Sequence, residues 1–179
     1  DVESGGRAYE DACAAEPALI ERSATLAEIF PVQQVRALRS VLPADRRVTW
    51  TVRLPSTPPR SVLVFVSPNA IADPPAGWDT VLDRHAMVWI AARDFGNPVP
   101  SNQRVLVALM GLTLARRDYV PADARRYIGG MSGGGRIASM AITKFPQLFN
   151  GALYIVGADD FGKAEPARLA AIAANRYVF

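Results

Sequence analysis

The sequence predicts an α/β domain with a doubly wound, mostly parallel sheet. Two apolar segments of strand length, 62–66 and 87–92, do not alternate between polar and apolar residues, which is typical of central strands covered on both faces. A third such segment, 151–157, follows, and residues of helical pattern separate the three. Strands that alternate with helices at these lengths form right-handed βαβ units and therefore a parallel sheet.

The 179 residues suit one domain with an N-terminal extension. We expect residues 1–45 to be a leader and helical segment that packs on or precedes the domain, and residues 46–179 to form the domain itself. Residues 1–16 have no clear period, whereas the apolar spacing over 17–30 predicts a helix. The pattern of 32–42 fits a helix or a strand.

The first predicted strand of the domain, 48–54, differs from the later ones because its apolar and polar residues alternate. Alternation over a whole segment predicts a strand with one face buried and the other exposed. After a turn cluster and the apolar strand 62–66, a loop and a short helix at 78–84 lead to the strand 87–92. A long apolar helix is then predicted over 101–117.

The second half of the chain continues the same alternation. It predicts a strand at 126–129, a helix that begins at Gly133, the strand 151–157 and a helix over 163–175. Residues 176–179 have the pattern of a further strand that is cut off. We therefore expect the domain to be truncated at its C-terminal end.

Four polar segments follow the predicted parallel strands. They are residues 67–69, residues 93–97, Ser132 and residues 159–160. In open α/β sheets, ligands bind outside the carboxyl ends of the strands. The sequence therefore predicts that these four segments converge on one site.

Residues 130–134 have the pattern Gly-x-Ser-x-Gly between the strand 126–129 and the next helix. A serine hydroxyl becomes a nucleophile only when it is exposed to substrate and close to a base. A sharp strand-to-helix turn raises the hydroxyl above the sheet, and glycines at 130 and 134 let neighbouring backbone approach closely because they lack Cβ. The N–H groups at the start of the helix suit a developing oxyanion. The pattern thus predicts that Ser132 is a nucleophile.

A glycine-rich turn that only packs tightly, or that holds a phosphate, is the alternative for this segment. It contains no Gly-Lys-[Ser/Thr], and Gly129-Gly130-Met131-Ser132 does not fit Gly-x-Gly-x-x-Gly. Phosphate binding therefore fits the sequence poorly.

Composition excludes several other classes of function. The formal net charge is +3, but the basic residues are dispersed among aspartates rather than grouped in a stripe with aromatic residues, so we expect no nucleic-acid partner. The single cysteine excludes an internal disulfide and Cys-based metal sites, and we expect neither a metal nor another cofactor. No apolar run approaches the 18 or so residues of a membrane span.

Several features together point to a known family. They are the apolar strands 62–66 and 87–92, the pair Gly77-Trp78, the motif at 130–134 and the segment 144–151. By these features the chain resembles an α/β-hydrolase, and within that fold the secreted esterases grouped with polyhydroxybutyrate depolymerases and feruloyl esterases. The resemblance implies a small-molecule or polymeric ester as substrate and a secreted or periplasmic location.

The resemblance also implies roles for individual residues. Ser132 would be the nucleophile, and the backbone N–H of Gly133 one donor to the oxyanion. The second donor would come from the loop after the first apolar strand, where these esterases usually have His-Gly and this chain has Ser67-Pro68. Because proline has no N–H, the resemblance places this donor at Asn69, with Ser67 as the alternative.

The acid and the histidine of a catalytic triad are not evident in the sequence. In this fold the nucleophile precedes the acid and the acid precedes the histidine, but the single histidine, His85, lies before Ser132 and at the end of a predicted helix. Asp159 and Asp160 follow a strand after which some hydrolases place the acid, although the commoner position is one strand later. We therefore expect the acid and the histidine on sequence beyond Phe179.

The function predicted on these grounds is that of a serine carboxylic-ester hydrolase with an acyl-enzyme on Ser132. The 179-residue chain alone is expected to be inactive. The missing histidine and the pair Ser67-Pro68 favour an alternative, a non-catalytic binding protein of the same fold. A peptidase is a third possibility, since a fold does not determine a substrate.

Overall fold

The computed structural model describes residues 18–162, 164–174 and 176–178. Within them lies a seven-stranded sheet with the strand order β1-β2-β4-β3-β5-β6-β7. The strands are β1 Leu19–Ala24, β2 Val48–Arg53, β3 Ser61–Val66, β4 Met87–Ala92, β5 Arg125–Met131, β6 Gly151–Ile155 and β7 Arg176–Val178.

Helices connect the strands and cover the sheet. They are α1 Leu26–Ile29, α2 Val32–Leu38, α3 Trp78–Arg84, α4 Ser101–Asp118, α5 Gly133–Lys144 and α6 Pro166–Ala173, with a 3₁₀ turn at Pro146–Leu148. No helix in the described residues has the length and apolar character to cross a membrane.

The parallel centre of the sheet is confirmed. Strand β3 pairs in parallel with both β4 and β5, β5 pairs in parallel with β6, and β6 with β7. All six residues of β3 are buried, as expected for a continuous apolar strand covered on both faces.

Side chains alternate along β3 between two hydrophobic layers. Val62, Val64 and Val66 belong to the larger layer, which also contains the apolar residues of α4 and α5. Leu63 and Phe65 belong to the smaller layer on the opposite face, under α3. The sheet is therefore wound on both sides, as the sequence predicts.

The helix predicted over 17–30 is wrong for most of its length. Leu19–Ala24 forms β1, which pairs antiparallel with β2 along six residues, and only Leu26–Ile29 is helical. Strand β2 offers its free backbone groups to this segment, so ladder hydrogen bonds outweigh the weak helical pattern. Residues 32–42, which fitted either type, contain the helix α2.

The N-terminal segment therefore contributes a strand to the sheet, although it lies before the boundary expected at residue 46. The division of the chain into 1–45 and 46–179 stays a prediction. Residues 1–16 lie outside the described residues, and the helix expected over 163–175 is α6 within its described part.

The half-exposed strand predicted at 48–54 is also wrong in one respect. Thr51 and Arg53, on its polar face, are both buried. Thr51 donates a hydrogen bond to Asp73, and Arg53 donates to Asp79 and Asp83 on α3. The alternation is real, but aspartates from other parts of the chain pack on the polar face and bury it. Periodicity alone does not show this.

Candidate active site

Ser132 joins the end of β5 to the start of α5 in a strained conformation. Its backbone angles are φ 54° and ψ −121°, although it is not a glycine, and its side chain is exposed. A non-glycine residue in such a sparsely populated region costs roughly 1–3 kcal/mol, and residues of this kind cluster at functional sites. The surrounding structure must therefore hold this turn in place.

Backbone hydrogen bonds on both sides hold the turn. The N–H of Ser132 donates to the carbonyl of Ile155 at 2.7 Å, which ties the turn to the end of β6. The carbonyl of Ser132 accepts from the N–H groups of Gly135 and Arg136 in the first turn of α5. Strand, turn and helix are thus one hydrogen-bonded unit with Ser132 at its apex.

The close approach expected at Gly130 and Gly134 is present. A Cβ on Gly130 would overlap the backbone of Gly134, and a Cβ on Gly134 would overlap the carbonyl oxygen of Val66 at the end of β3. Real Cβ atoms do not come this near to backbone, so any larger residue would displace α5 from the sheet.

The first turn of α5 begins directly after the serine. The first N–H groups of a helix have no partner within the helix, and the helix dipole adds positive potential at this end. Gly133 is the first residue of α5 and directly follows Ser132. The role expected of its N–H as an oxyanion donor stays a prediction.

An open cleft of about 600 Å³ lies beside Ser132. Apolar side chains of Ile137, Met140 and Val156 line part of it. The polar lining comprises Asn97, Ser101, Arg104, Arg136 and Asp159. The cleft combines apolar surface with convergent polar groups, as small-molecule sites usually do.

Three of the four predicted segments reach this cleft, through Asn97, Ser132 and Asp159. The segment after β3 does not contribute a residue to the lining. Asn69 is exposed, and its N–H donates to Ser67 Oγ at 3.3 Å while its side-chain oxygen accepts from Ser67 Oγ and from the N–H of Ile71. The role expected of Asn69 in the oxyanion site stays a prediction.

The two aspartates after β6 have different surroundings. Asp159 lines the cleft, and its N–H donates to Ser139 Oγ on α5 at 2.7 Å. The carboxylate of Asp160 accepts from the N–H of Gly162 in its own loop. Of the two, only Asp159 is among the residues that line the cleft beside Ser132.

His85 lies at the amino end of the parallel strands, opposite to the end where Ser132 lies. It follows α3, and its carbonyl accepts from Ser61 Oγ at the start of β3. Ser132 lies beyond the other end of the parallel strands, where Gly130 pairs with Val66. Along β3, Ser61 beside His85 and Val66 beside the Ser132 turn are five residues apart, or roughly 16 Å at about 3.3 Å per residue. His85 is too far away to accept the Ser132 proton.

Arg104 was not singled out from the sequence, yet it organises the edge of the site. It is 5% exposed, and it donates to the carbonyls of Phe95 and Ser67 at 3.0 and 2.9 Å and to Asn97 Oδ1 at 3.2 Å. One guanidinium therefore joins the loops that follow β3 and β4. The one sequence signal is weak, because Arg104 follows the polar residues 101–103 and directly precedes the apolar run of α4.

Asn97 lies directly against the start of α5. A Cβ on Gly133 would overlap the carboxamide of Asn97, so the two residues are in close contact. The backbone N–H of Asn97 donates to the carbonyl of Pro68 at 2.8 Å, which links this loop to the segment after β3. Both loops are thus held beside the turn at Ser132.

In the described part of the chain, no cluster of His, Cys, Asp and Glu side chains could hold a metal ion.

Comparison with known proteins gives structural but not sequence matches. No family model and no curated protein sequence matches the chain. Among solved structures, the poly(3-hydroxybutyrate) depolymerase LpqC of Bordetella parapertussis is similar, with a TM-score of 0.55 and 15% identity over 92% of this chain. A ferulic acid esterase has a TM-score of 0.57 and 14% identity over 89% of this chain.

Dienelactone hydrolase from Anabaena variabilis is also similar, with a TM-score of 0.54 and 9% identity over 78% of this chain. The chain spans 65% of LpqC, 77% of the ferulic acid esterase and 63% of the dienelactone hydrolase. At these identities the likeness concerns the fold alone. The mostly parallel sheet, the strand–serine–helix turn and these neighbours together establish that the chain has an α/β-hydrolase fold.

Proposed function

We propose that the protein is a serine hydrolase of carboxylic esters in which Ser132 is the nucleophile. The observation that carries the proposal is the strained backbone of Ser132, at φ 54° and ψ −121°, beside a cleft and at the start of a helix. Strain of this kind persists only where the surrounding structure imposes it, and a nucleophile presented to substrate is a function that requires it.

The reaction begins with attack of Ser132 Oγ on the ester carbonyl. As the new C–O bond forms, the hydroxyl proton passes to a general base, and the carbonyl electrons move to oxygen. Collapse of this tetrahedral intermediate releases the alcohol, which takes up the proton, and leaves the acyl group on Ser132. Water then attacks the acyl-enzyme in the same way and releases the acid.

The N–H of Gly133 and the positive end of α5 stabilise the oxyanion in this scheme. Asn69 is the second donor expected from the sequence resemblance. Its N–H donates to Ser67 Oγ at 3.3 Å, so it would serve only after exchanging that long hydrogen bond for one to the substrate.

The base and its orienting acid are proposed to come from sequence beyond Phe179. His85 lies at the far end of the strands from Ser132, and the order nucleophile, acid, histidine that is usual in this fold supports a position for both groups after Ser132. Asp159, which lines the cleft, is the alternative for the acid.

The names of the structural neighbours support esters as the substrate class. LpqC is described as a poly(3-hydroxybutyrate) depolymerase, and the second neighbour as a ferulic acid esterase. Both names denote cleavage of an ester. Since the fold alone does not determine chemistry, ester hydrolysis is transferred to this chain as a proposal.

A non-catalytic binding protein is the second candidate. The observation in its favour is that the single histidine of the chain lies at the opposite edge of the sheet from Ser132. Without a base, the serine hydroxyl is an ordinary alcohol, and the cleft would bind a ligand without cleaving it.

The test compares two serine variants of the protein at its full natural length. We expect the parent protein to hydrolyse p-nitrophenyl acetate or butyrate, and Ser132→Ala to lower kcat by several orders of magnitude, because members of a triad act as a unit. Ser40→Ala, at an exposed position after α2, should leave kcat unchanged. A parent protein that binds but does not hydrolyse esters would favour the binding protein instead.

The 179-residue chain alone gives a second arm of this test. We expect it to hydrolyse neither ester at a measurable rate. Brisk turnover by this chain that survives His85→Ala would contradict the proposed origin of the base.

A further inference from the structure

The buried guanidinium of Arg104 determines how the Asn97 side chain is oriented. An arginine can only donate hydrogen bonds, so the Asn97 atom that faces Arg104 Nη1 at 3.2 Å must be the oxygen. The amide nitrogen, Nδ2, is then the other end of the carboxamide. It makes no hydrogen bond within the residues that the structure describes.

Asn97 lies beside the place where an oxyanion would form, with its Oδ1 nearest Gly133 and its Nδ2 next to that oxygen. Asn97 is exposed and lines the same cleft as Ser132, and its carboxamide lies against Gly133, whose N–H is the first proposed donor. Oxyanion stabilisation requires N–H donors within reach of one point beside the nucleophile, and Gly133 and Asn97 are in contact with each other in the cleft beside Ser132.

We propose that the Asn97 side-chain amide is an oxyanion donor and that Arg104 is the positioning residue that aims it. This inference rests on the proposed ester hydrolysis at Ser132. It differs from the expectation at Asn69 because Asn97 Nδ2 has no hydrogen bond to exchange, whereas the Asn69 N–H already donates to Ser67 Oγ.

The positioning works through a loop held at several points. Arg104 donates to the carbonyl of Phe95, two residues before Asn97, and the N–H of Asn97 donates to Pro68. Side chain and backbone of Asn97 are therefore both held before substrate binds. A donor that needs no reorganisation at the moment of reaction is the kind that lowers an activation barrier most.

Asn97→Asp separates a catalytic role from a structural one. The aspartate has the same shape, and its oxygens accept from Arg104 as well as the amide oxygen does, through a stronger charge-assisted bond. It has no donor, however, and it brings negative charge to the oxyanion. A purely structural asparagine would therefore tolerate this change, and an oxyanion donor would not.

The experiment uses the protein at its full natural length with p-nitrophenyl butyrate as substrate. We expect Asn97→Asp to keep the melting temperature while kcat falls about 100-fold or more and KM changes little, since loss of one oxyanion donor costs about 10²–10³ in kcat. Asn97→Ala should lower kcat about 100-fold. Asn102→Asp is the matched control, because it adds the same charge at an exposed position on α4 outside the cleft lining, and its kcat should be unchanged.

Three results would overturn the inference, and they differ from one another. A folded Asn97→Asp protein with unchanged kcat, in an active and Ser132-dependent parent, overturns the inference alone. The same holds if Asn102→Asp lowers kcat as much as Asn97→Asp does. A parent protein that is inert toward esters overturns the proposed function and this inference with it.

Discussion

Two buried arginines of this protein have opposite electrostatic surroundings. Arg53 of β2 is 3% exposed and donates to the carboxylates of Asp79 at 2.5 Å and Asp83 at 2.9 Å, both on α3. Arg104 of α4 is 5% exposed and, within the described residues, donates only to uncharged oxygens. One region holds a compensated charge and the other an uncompensated one.

The difference is visible in the direction of each pKa. Burial lowers the pKa of Arg53, but hydrogen bonds and attraction from Asp83 and Asp79 outweigh it, so that the pKa is raised. Burial lowers the pKa of Arg104, and no carboxylate opposes it. Both guanidiniums stay protonated at neutral pH, because arginine is far more basic than the other side chains.

A buried charge without a counter-charge costs free energy that a paired one largely recovers. The unpaired buried charge is that of Arg104, at the edge of the Ser132 cleft, whereas the buried charge beneath α3 is paired. Unusual electrostatics of this kind cluster at functional sites. The comparison therefore assigns Arg53 to stability and Arg104 to the site.

A second difference between the two regions lies at the start of α3, which covers Arg53, and at the start of α5, which follows Ser132. Gly77 precedes α3 at φ 83°, and a Cβ there would meet open space. Gly134 lies in the first turn of α5, where a Cβ would overlap the carbonyl of Val66. The start of α3, the helix above Arg53, has space for a side chain and only its backbone angle disfavours one, whereas the start of α5 after Ser132 has no space at all.

Gly134→Ala should have the largest effect on folding. The added methyl group has no space against backbone, so we expect a loss of about 4 kcal/mol or more of unfolding free energy, or no folded protein at all. Gly77→Ala should cost only about 1 kcal/mol, from the left-handed backbone angle. Urea denaturation of the two variants measures this difference. Equal losses would contradict the close approach at Gly134.

Arg53→Met should be the next largest change. Removing one partner of a buried ion pair costs about 3–5 kcal/mol, and we expect the lower end because Asp79 is largely exposed. The variant should keep its kcat when folded, since Arg53 is remote from the cleft. Thermal denaturation and ester hydrolysis on the same sample test both statements. A folded variant with a large loss of kcat would break the proposed division of roles.

Arg104→Met should show the reverse pattern. Loss of its hydrogen bonds is partly offset by relief of an unpaired buried charge, so we expect a smaller loss of stability than for Arg53→Met, about 1–2 kcal/mol. The kcat should fall roughly 10- to 100-fold, since the Asn97 donor is no longer aimed. Arg116→Met, an exposed charge loss on the same helix, is the control. If Arg104→Met loses stability and keeps its kcat, the comparison fails.

Asp83→Asn should lower stability less than Arg53→Met, because Asp79 stays paired with the guanidinium, and its specific effect should be on pH dependence. The hydrogen bond from Arg53 lowers the pKa of Asp83 and outweighs burial, which raises it. A depressed folded-state pKa contributes stability above the unfolded value near 3.9, and this contribution is lost as pH falls through the folded pKa. Urea midpoints between about pH 5 and 2.5 should therefore fall less steeply in the variant than in the parent. Parallel curves would contradict the assignment.

The parts of the fold that follow from local pattern could be predicted from the sequence. Continuous apolarity marks the parallel strands, and the glycines around Ser132 mark a turn that only close packing explains. Strand β1 was missed because its conformation depends on pairing with β2, more than twenty residues away. No local period records such a partner.

The polar part of the site was missed for a related reason. Arg104 bonds to the carbonyl of Ser67, 37 residues earlier in the chain, and backbone carbonyls have no sequence signature. Asn97 is one of several polar residues in its loop, and only its contact with Gly133 distinguishes it. A single sequence can single out the proposed nucleophile, but the groups that surround it depend on the folded arrangement.

The most direct test of the central claim is covalent labelling of the protein at its full natural length with a fluorophosphonate, followed by mass spectrometry of its peptides. An activated serine at the strained turn predicts one adduct, on Ser132, that Ser132→Ala abolishes while Ser40→Ala keeps it. An adduct on another serine, or an active esterase that remains active and labelled after Ser132→Ala, would contradict the account.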